Sequence, residues 1–202
     1  MIKAIIFDIG GVLVEENFYT LVENLAHKHN IDPEELKEFI KPIFRNEIMI
    51  GAIPESQMWK RVSDHFDLSL DTEGLHNELG RDHYSRREPV WEYIRRLDGK
   101  YELAILSNLG LESISMFADK MPEMTKYFKT IVYSAEVGMK KPDPEVYQHV
   151  LDQLKLSADE CIFIDDKPKN IEAANKLGIH GIVYTNPVQL KADLATLGII
   201  VN

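Results

Sequence analysis

The chain has 202 residues, 45% hydrophobic and 28% charged, enough for one sizeable core with a small second unit. Its formal net charge of −10 argues against a nucleic-acid or anionic-membrane surface, which needs a basic face, yet leaves room for a local cationic site that takes a small anion. A lone cysteine, Cys161, excludes a disulfide framework within the chain and points to the cytoplasm; the first apolar run is too broken by Asp8 for a signal peptide, and no run reaches membrane-spanning length.

The first predicted element is the apolar run Ala4 to Phe7, a short buried strand. Asp8 ends it, and Gly10 and Gly11 follow, so the backbone there turns tightly or comes close to a ligand. A carboxylate at the C-terminal end of a buried strand sits where open α/β sheets bind their ligands. From Glu16 to about Arg87 no strand is legible. Phe18, Leu21, Val22 and Leu25 follow helical spacing. Asp32 and Pro33 start a second helix with Leu36, Phe39, Ile40 and Ile43 on its apolar face. Met58, Trp59, Val62 and Phe66 mark a third helix, and a fourth is expected from Asp71.

Beyond Arg87 the pattern alternates. Val90, Trp91, Ile94 and Leu97 give a helix closed by Gly99, and Tyr101 to Leu106 a strand ending in Ser107-Asn108. Thr130 to Tyr133 is another strand, and Asp143-Pro144 opens a helix. Cys161 to Ile164 ends in Asp165-Asp166, a helix through Ala173 and Ala174 runs to Gly178, and Gly181 to Tyr184 is the last strand. Such alternation predicts an α/β protein: a Rossmann-like parallel sheet with helices on both faces, residues 1–15 and 88–202, carrying an all-helical cap, residues 16–87.

Four pieces then lie at strand ends or just beyond them: Asp8 with its glycines, Ser107-Asn108, Lys141 ahead of Pro142-Asp143-Pro144, and Asp165-Asp166. If the first and fourth strands are neighbours, three carboxylates meet in one crevice, which calls for a cation or a reaction to offset the repulsion. Each piece alone has a plainer reading. Asp8 could form a turn, Ser107-Asn108 start a loop, Lys140 and Lys141 face solvent, and Asp165-Asp166 lead into a helix with Pro168 in its first turn. Cys161 reads as packing and the seven histidines as surface residues.

In order and spacing the four pieces resemble the motifs of the haloacid dehalogenase-like (HAD) superfamily, over nearly the whole chain. Within it the chain is similar to small bacterial sugar-phosphate phosphatases of the glucose-1-phosphate type, which share the Asp-x-Gly opening and a stretch like Gly138 to Val150. The resemblance implies a Mg²⁺-dependent phosphatase that hydrolyses a small phosphomonoester through an aspartyl-phosphate on Asp8. It implies Asp8, the Gly10 carbonyl and Asp166 as metal ligands, with Asp165, in place of a glycine common in relatives, as a water-mediated neighbour. Gly11, Ser107 and the Asn108 backbone would hold the phosphoryl group, and Lys141 would pair with its oxygens and with Asp8. Asn170 would orient Lys141 or the metal site, or be an ordinary amide on a helix.

One position departs from the pattern. Many phosphatases of the superfamily carry an acid where Gly10 stands, to protonate the leaving group and later activate water. Such help is worth about 10²–10⁴-fold. Glu15, Glu16 or a cap residue would have to replace it, or the substrate would need a good leaving group. Two rival readings follow: a metal-free 2-haloacid dehalogenase, and a non-catalytic binding protein on the same fold. Arg45, Trp59, Tyr84, Arg86 and Arg87 are candidate substrate contacts. The expected partner is a small phosphorylated metabolite, with no nucleic acid and no membrane.

Overall fold

The computed structural model describes residues 1–16, 18–71 and 84–201. Its main sheet has five parallel strands in the order β5-β4-β1-β6-β7. They are β1 (Ala4–Phe7), β4 (Glu102–Ser107), β5 (Thr130–Tyr133), β6 (Cys161–Asp165) and β7 (His180–Val183). β1 lies at the centre, with Ala4 opposite both Glu102 and Cys161, and all four of its residues are fully buried. A strand covered on both faces needs apolar residues at every position, which is why β1 and β6 read as unbroken hydrophobic runs.

Side chains alternate between the two faces, as a period of two requires. Ile5, Phe7, Leu103, Ile105, Ile162 and Ile164 pack against α4 (Glu88–Leu97), α5 (Leu111–Lys120) and α10 (Pro187–Thr196). Ala4, Ile6, Ala104, Leu106 and Phe163 pack against α8 (Pro144–Leu154) and α9 (Pro168–Lys176). Two one-turn helices, α6 (Met124–Tyr127) and α7 (Ser134–Val137), flank β5. The chain leaves β1 for β4 on one side and later runs from β6 to β7 on the other. The strand order therefore reverses between β1 and β6, opening a crevice at their C-terminal ends.

Between β1 and α4 the expectation of no strand is corrected. β2 (Val14–Glu16) and β3 (Tyr84–Arg86) form a two-stranded antiparallel sheet that carries the chain out of the core and back. Past β2 come α1 (Phe18–Lys28), α2 (Pro33–Asn46) and α3 (Glu55–His65). Asp32 caps α2, accepting hydrogen bonds from the N–H groups of Glu34 and Glu35. Leu21, Val22, Leu25, Leu36, Ile40, Met58, Trp59 and Val62 close a separate apolar cluster among the three helices. The helix expected from Asp71 falls on residues 72–83, outside the described residues.

Two fasteners join these helices to the sheet domain. Glu55, at the start of α3, accepts from the N–H groups of Glu112 and Ser113 at the start of α5 (3.0 and 3.1 Å). Glu112 reciprocates, accepting from Ser56 N–H and Oγ (2.8 and 2.6 Å). Each helix thus caps the other's unsatisfied N-terminal donors. At the second fastener, Gly51 takes φ +71°, and a Cβ there would lie 2.2 Å from the Ala135 carbonyl oxygen in α7. Only glycine allows that approach.

Candidate active site

The two central strands both end in carboxylates. β1 runs into Asp8 and β6 into Asp165 and Asp166, and one oxygen from each lies within 4.8 Å of the others. Lys141, in the loop before α8, is 3% exposed and sits between them. Its Nζ is 2.9 Å from Asp8 Oδ1 and 2.7 Å from Asp165 Oδ2, and it donates to the Leu106 carbonyl at 2.9 Å. The Lys141 loop is held by Asn108, whose Oδ1 accepts from Lys141 N–H (2.8 Å) and whose Nδ2 donates to the Lys141 carbonyl (2.9 Å).

The two carboxylates are held differently. Asp8 Oδ1 accepts from Ile9 N–H, Ser107 Oγ (both 2.8 Å) and Lys141, while no described residue donates to Oδ2. Asp165 has both oxygens engaged. Oδ1 accepts from Lys167 N–H (2.8 Å) and Asn170 Nδ2 (3.0 Å), and Oδ2 from Lys141 and Asn170 Nδ2 (2.9 Å). Asn170 therefore reaches Lys141 through Asp165, and is itself anchored by Tyr147 OH on its carbonyl (2.9 Å).

Acidity follows the donors. Burial pushes Asp8 up to about 6; Lys141 opposes the rise and the Asp165 charge adds to it. Burial acts on Asp165 too, but the Lys141 charge and the hydrogen bonds from Lys141, Lys167 and Asn170 outweigh it, so Asp165 ends below its ordinary value. Burial also raises Asp166. Asp166 Oδ1 is buried without a hydrogen-bond partner. Gly11, at φ +78°, makes room for that side chain: a Cβ there would lie 2.6 Å from Asp166 Cγ. Its N–H donates within its own loop, to the Val14 carbonyl at 2.9 Å. Oxygen donors alone, one of them buried and unsatisfied, suit a hard divalent cation.

A cavity of about 230 Å³ opens over Asp8, Gly10, Ser107, Asn108 and Lys141. Phe18, Tyr19, Phe44 and Met49 wall it from the helical insert. Lys37, Lys41 and Arg45 reach it from α2, Lys140 from the loop before α8, and Lys167 and Lys169 from the start of α9. Among the described residues Asp8 is the sole carboxylate on the wall.

Of the substrate contacts read from sequence, Arg45 lines this cavity. Trp59 does not; it is fully buried among the insert helices. Arg86 pairs with Glu123 and lies 4.4 Å over the Trp91 ring, and Arg87 pairs with Glu15 at 3.4 Å, both away from the cavity wall. Glu15 is engaged by Arg87 and Ser85 and does not line the cavity. The side chains of Glu16 and Tyr84 lie outside what is described. Sequence reading missed Glu55 and the lysines around the rim. Glu55 looks like any acid in a first helical turn, and its partner is 57 residues away.

The chain has relatives among known proteins. Residues 5–184 match the family described as haloacid dehalogenase-like hydrolase, and the chain belongs to that family of hydrolases. Flavin mononucleotide hydrolase 1 of Arabidopsis thaliana is 29% identical over 197 residues, covering 96% of this chain and 77% of the relative. D-ribitol-5-phosphate phosphatase of Bacteroides thetaiotaomicron is 23% identical over 210 residues, covering 98% of each. Some relatives are much longer: the chain spans 19% of acyl-CoA dehydrogenase family member 10 of Mus musculus, to which it is 28% identical over 206 residues. Among solved structures, a Bacteroides thetaiotaomicron HAD family enzyme in complex with magnesium and inorganic phosphate superposes with a TM-score of 0.80 at 20% identity, covering 92% of this chain and 95% of that one. Among the described residues no helix is long and apolar enough to cross a membrane.

Proposed function

We propose that this hydrolase is a Mg²⁺-dependent phosphomonoesterase that passes through an aspartyl-phosphate on Asp8, with residues 16–87 acting as a cap over a site built by residues 1–15 and 88–202. The observation that carries the reading is Lys141 wedged between Asp8 and Asp165, beside an Asp166 oxygen that is buried and unsatisfied.

In the first step an Asp8 oxygen bonds to phosphorus as the bond to the leaving-group oxygen breaks. Ser107 and Lys141 fix the Asp8 carboxylate, and Lys141 offsets the repulsion between two approaching anions. Asp165 keeps Lys141 in place and Asn170 keeps Asp165 in place, so both act by positioning. Mg²⁺, held by Asp8, Asp166 and the Gly10 carbonyl, would supply further positive charge at the phosphoryl oxygens. Asp165 already accepts from Lys141, Lys167 and Asn170, so we assign it to the lysine and not to the direct ligand set. In the second step water displaces Asp8 from phosphorus and inorganic phosphate departs.

Gly10 stands in the acid's position and the described wall holds no second carboxylate, so our reading is of a reaction in which protonation of the leaving group is the weak point. Aryl and anomeric phosphates are then better substrates than primary alkyl phosphates, and hydrolysis of the aspartyl-phosphate is the slow step. A metal-free dehalogenase gains nothing from Asp166 beside Asp8, since a second carboxylate only repels an anionic substrate.

Rapid mixing with p-nitrophenyl phosphate tests this reading. A burst of p-nitrophenolate, followed by slower turnover and abolished by chelator, is expected. Chelator-insensitive activity, or halide release from 2-haloacids with no phosphate ester hydrolysed, would overturn it.

A further inference from the structure

The cavity has the opposite charge to the molecule around it. The chain carries 33 acidic and 23 basic side chains, yet seven lysines and arginines and one described carboxylate line this wall. Several of these cations are already matched. Lys141 is held by Asp8 and Asp165, Lys37 pairs with Glu23 and Glu34, and Lys41 pairs with Glu38. Arg45, Lys140 and Lys169 make no ion pair among the described residues. They come from three separate segments, α2, the loop before α8 and the first turn of α9, and meet at one opening. Holding like charges together without partners is unfavourable, and an anion relieves it. The phosphoryl group undergoing transfer meets Lys141 at the floor, so the rim charges answer to something else on the substrate.

Part of the same wall is aromatic. Phe18 stacks on Phe44 with ring centroids 4.9 Å apart and planes 29° apart, and Tyr19 packs edge-on to Phe18 at 5.8 Å. Tyr19 is 63% exposed, an unusual fraction for an aromatic side chain beside an apolar patch. Such a wall offers flat surface to a ring.

We infer that the substrate is a phosphomonoester whose leaving group joins a flat aromatic ring to a second anionic substituent, carboxylate or phosphate. The inference rests on the phosphatase reading and names the substrate class for that same site. The ring lies against Phe18, Tyr19 and Phe44, and the second anion meets Arg45, Lys140 and Lys169.

Three esters with phenolic leaving groups of similar acidity test it: phenyl phosphate, 3-carboxyphenyl phosphate and 1,3-phenylene bisphosphate. At least one of the two anionic esters should show kcat/KM about tenfold above phenyl phosphate, as expected for one partly desolvated ion pair, with the gain mainly in KM. Whichever of the two is preferred identifies the second anion. Arg45 and Lys169 are exposed, so Arg45→Gln with Lys169→Gln should fold and should shrink the preference toward parity. Tyr19→Ala should raise KM severalfold for all three. Equal kcat/KM across the esters, or a preference that survives in the double variant, would overturn the second anion. An unchanged KM in Tyr19→Ala would overturn the ring. Hydrolysis of none of the three would overturn the phosphatase reading and this inference with it.

Discussion

The crevice between β1 and β6 and the rim above it differ in how they hold charge. In the crevice every ammonium and carboxylate contact is buried and specified: Lys141 touches two carboxylates and a carbonyl, and Asp165 accepts from three residues. On the rim Arg45 and Lys169 are exposed and unpaired among the described residues. A buried network cannot lose a member without leaving a desolvated charge behind, whereas an exposed cation can be replaced at little cost. On the proposed reading, chemistry and recognition would be built separately: the sheet would hold the reacting groups, and residues from α2 and two core segments would meet the rest of the substrate.

Lys141→Ala breaks the buried side of that comparison and should have the largest effect. It strands Asp8 and Asp165 together, so stability should fall by about 3–5 kcal/mol, read from urea denaturation, with activity nearly lost. Lys140→Ala, half-buried and without such partners, should change stability by less than about 1 kcal/mol. Equal losses in the two variants would contradict a special role for the buried Lys141 network.

The carboxylates sharpen the contrast within the crevice. Asp166→Asn should weaken Mg²⁺ binding by about 10–100-fold in a calorimetric titration, because it removes an oxygen with no other partner. Asp165→Asn should instead lower kcat and stability with a smaller change in metal affinity, because its oxygens serve Lys141 and Lys167. The reverse ranking would move the ligand role to Asp165.

Protons compete with the metal at Asp8. With Asp8 raised to about 6 in the metal-free protein, Mg²⁺ affinity should be flat above that pH and fall about tenfold per pH unit below it. The same titration from pH 7.5 to 5 reads this directly. A flat profile would mean that Asp8 does not bind the metal.

The crevice was legible in the sequence because each of its groups ends an unbroken apolar run or sits in a Lys-Pro step. Asp8, Ser107, Lys141 and Asp166 could be picked out that way. Other features left no local signal. β2 and β3 are three residues each, Val-Glu-Glu and Tyr-Ser-Arg, with no alternation to read. α5 is an exception: it carries Leu111, Ile114 and Phe117 at helical spacing, a stripe that sequence reading passed over, though only Phe117 is fully buried. The rim cations are scattered from Lys37 to Lys169 and become a group only when α2 is laid over the crevice. Trp59 was misjudged for a related reason: a large aromatic in an insert suits a core as well as a contact, and here the insert needs it to complete its own apolar cluster.

A smaller effect than the loss of Lys141 is expected at the fastener between the two regions. Glu55→Gln keeps the shape but removes the negative charge from the N-terminus of α5, and should cost about 1–2 kcal/mol of stability in thermal unfolding. A neutral result would mean that the insert is held chiefly by apolar contact and by the Gly51 approach to Ala135.

The central claim is that Asp8 becomes covalently phosphorylated. Acid quenching during turnover of an aryl phosphate with Mg²⁺, followed by peptide mass spectrometry, tests it most directly, with Asp8→Asn as the control. One phosphoryl group is expected on the peptide containing Asp8, lost on treatment with hydroxylamine and absent from the variant, whose activity should fall by on the order of 10⁴-fold or more. Turnover with no phosphoryl group on Asp8, and activity of Asp8→Asn within tenfold of the native chain, would contradict it.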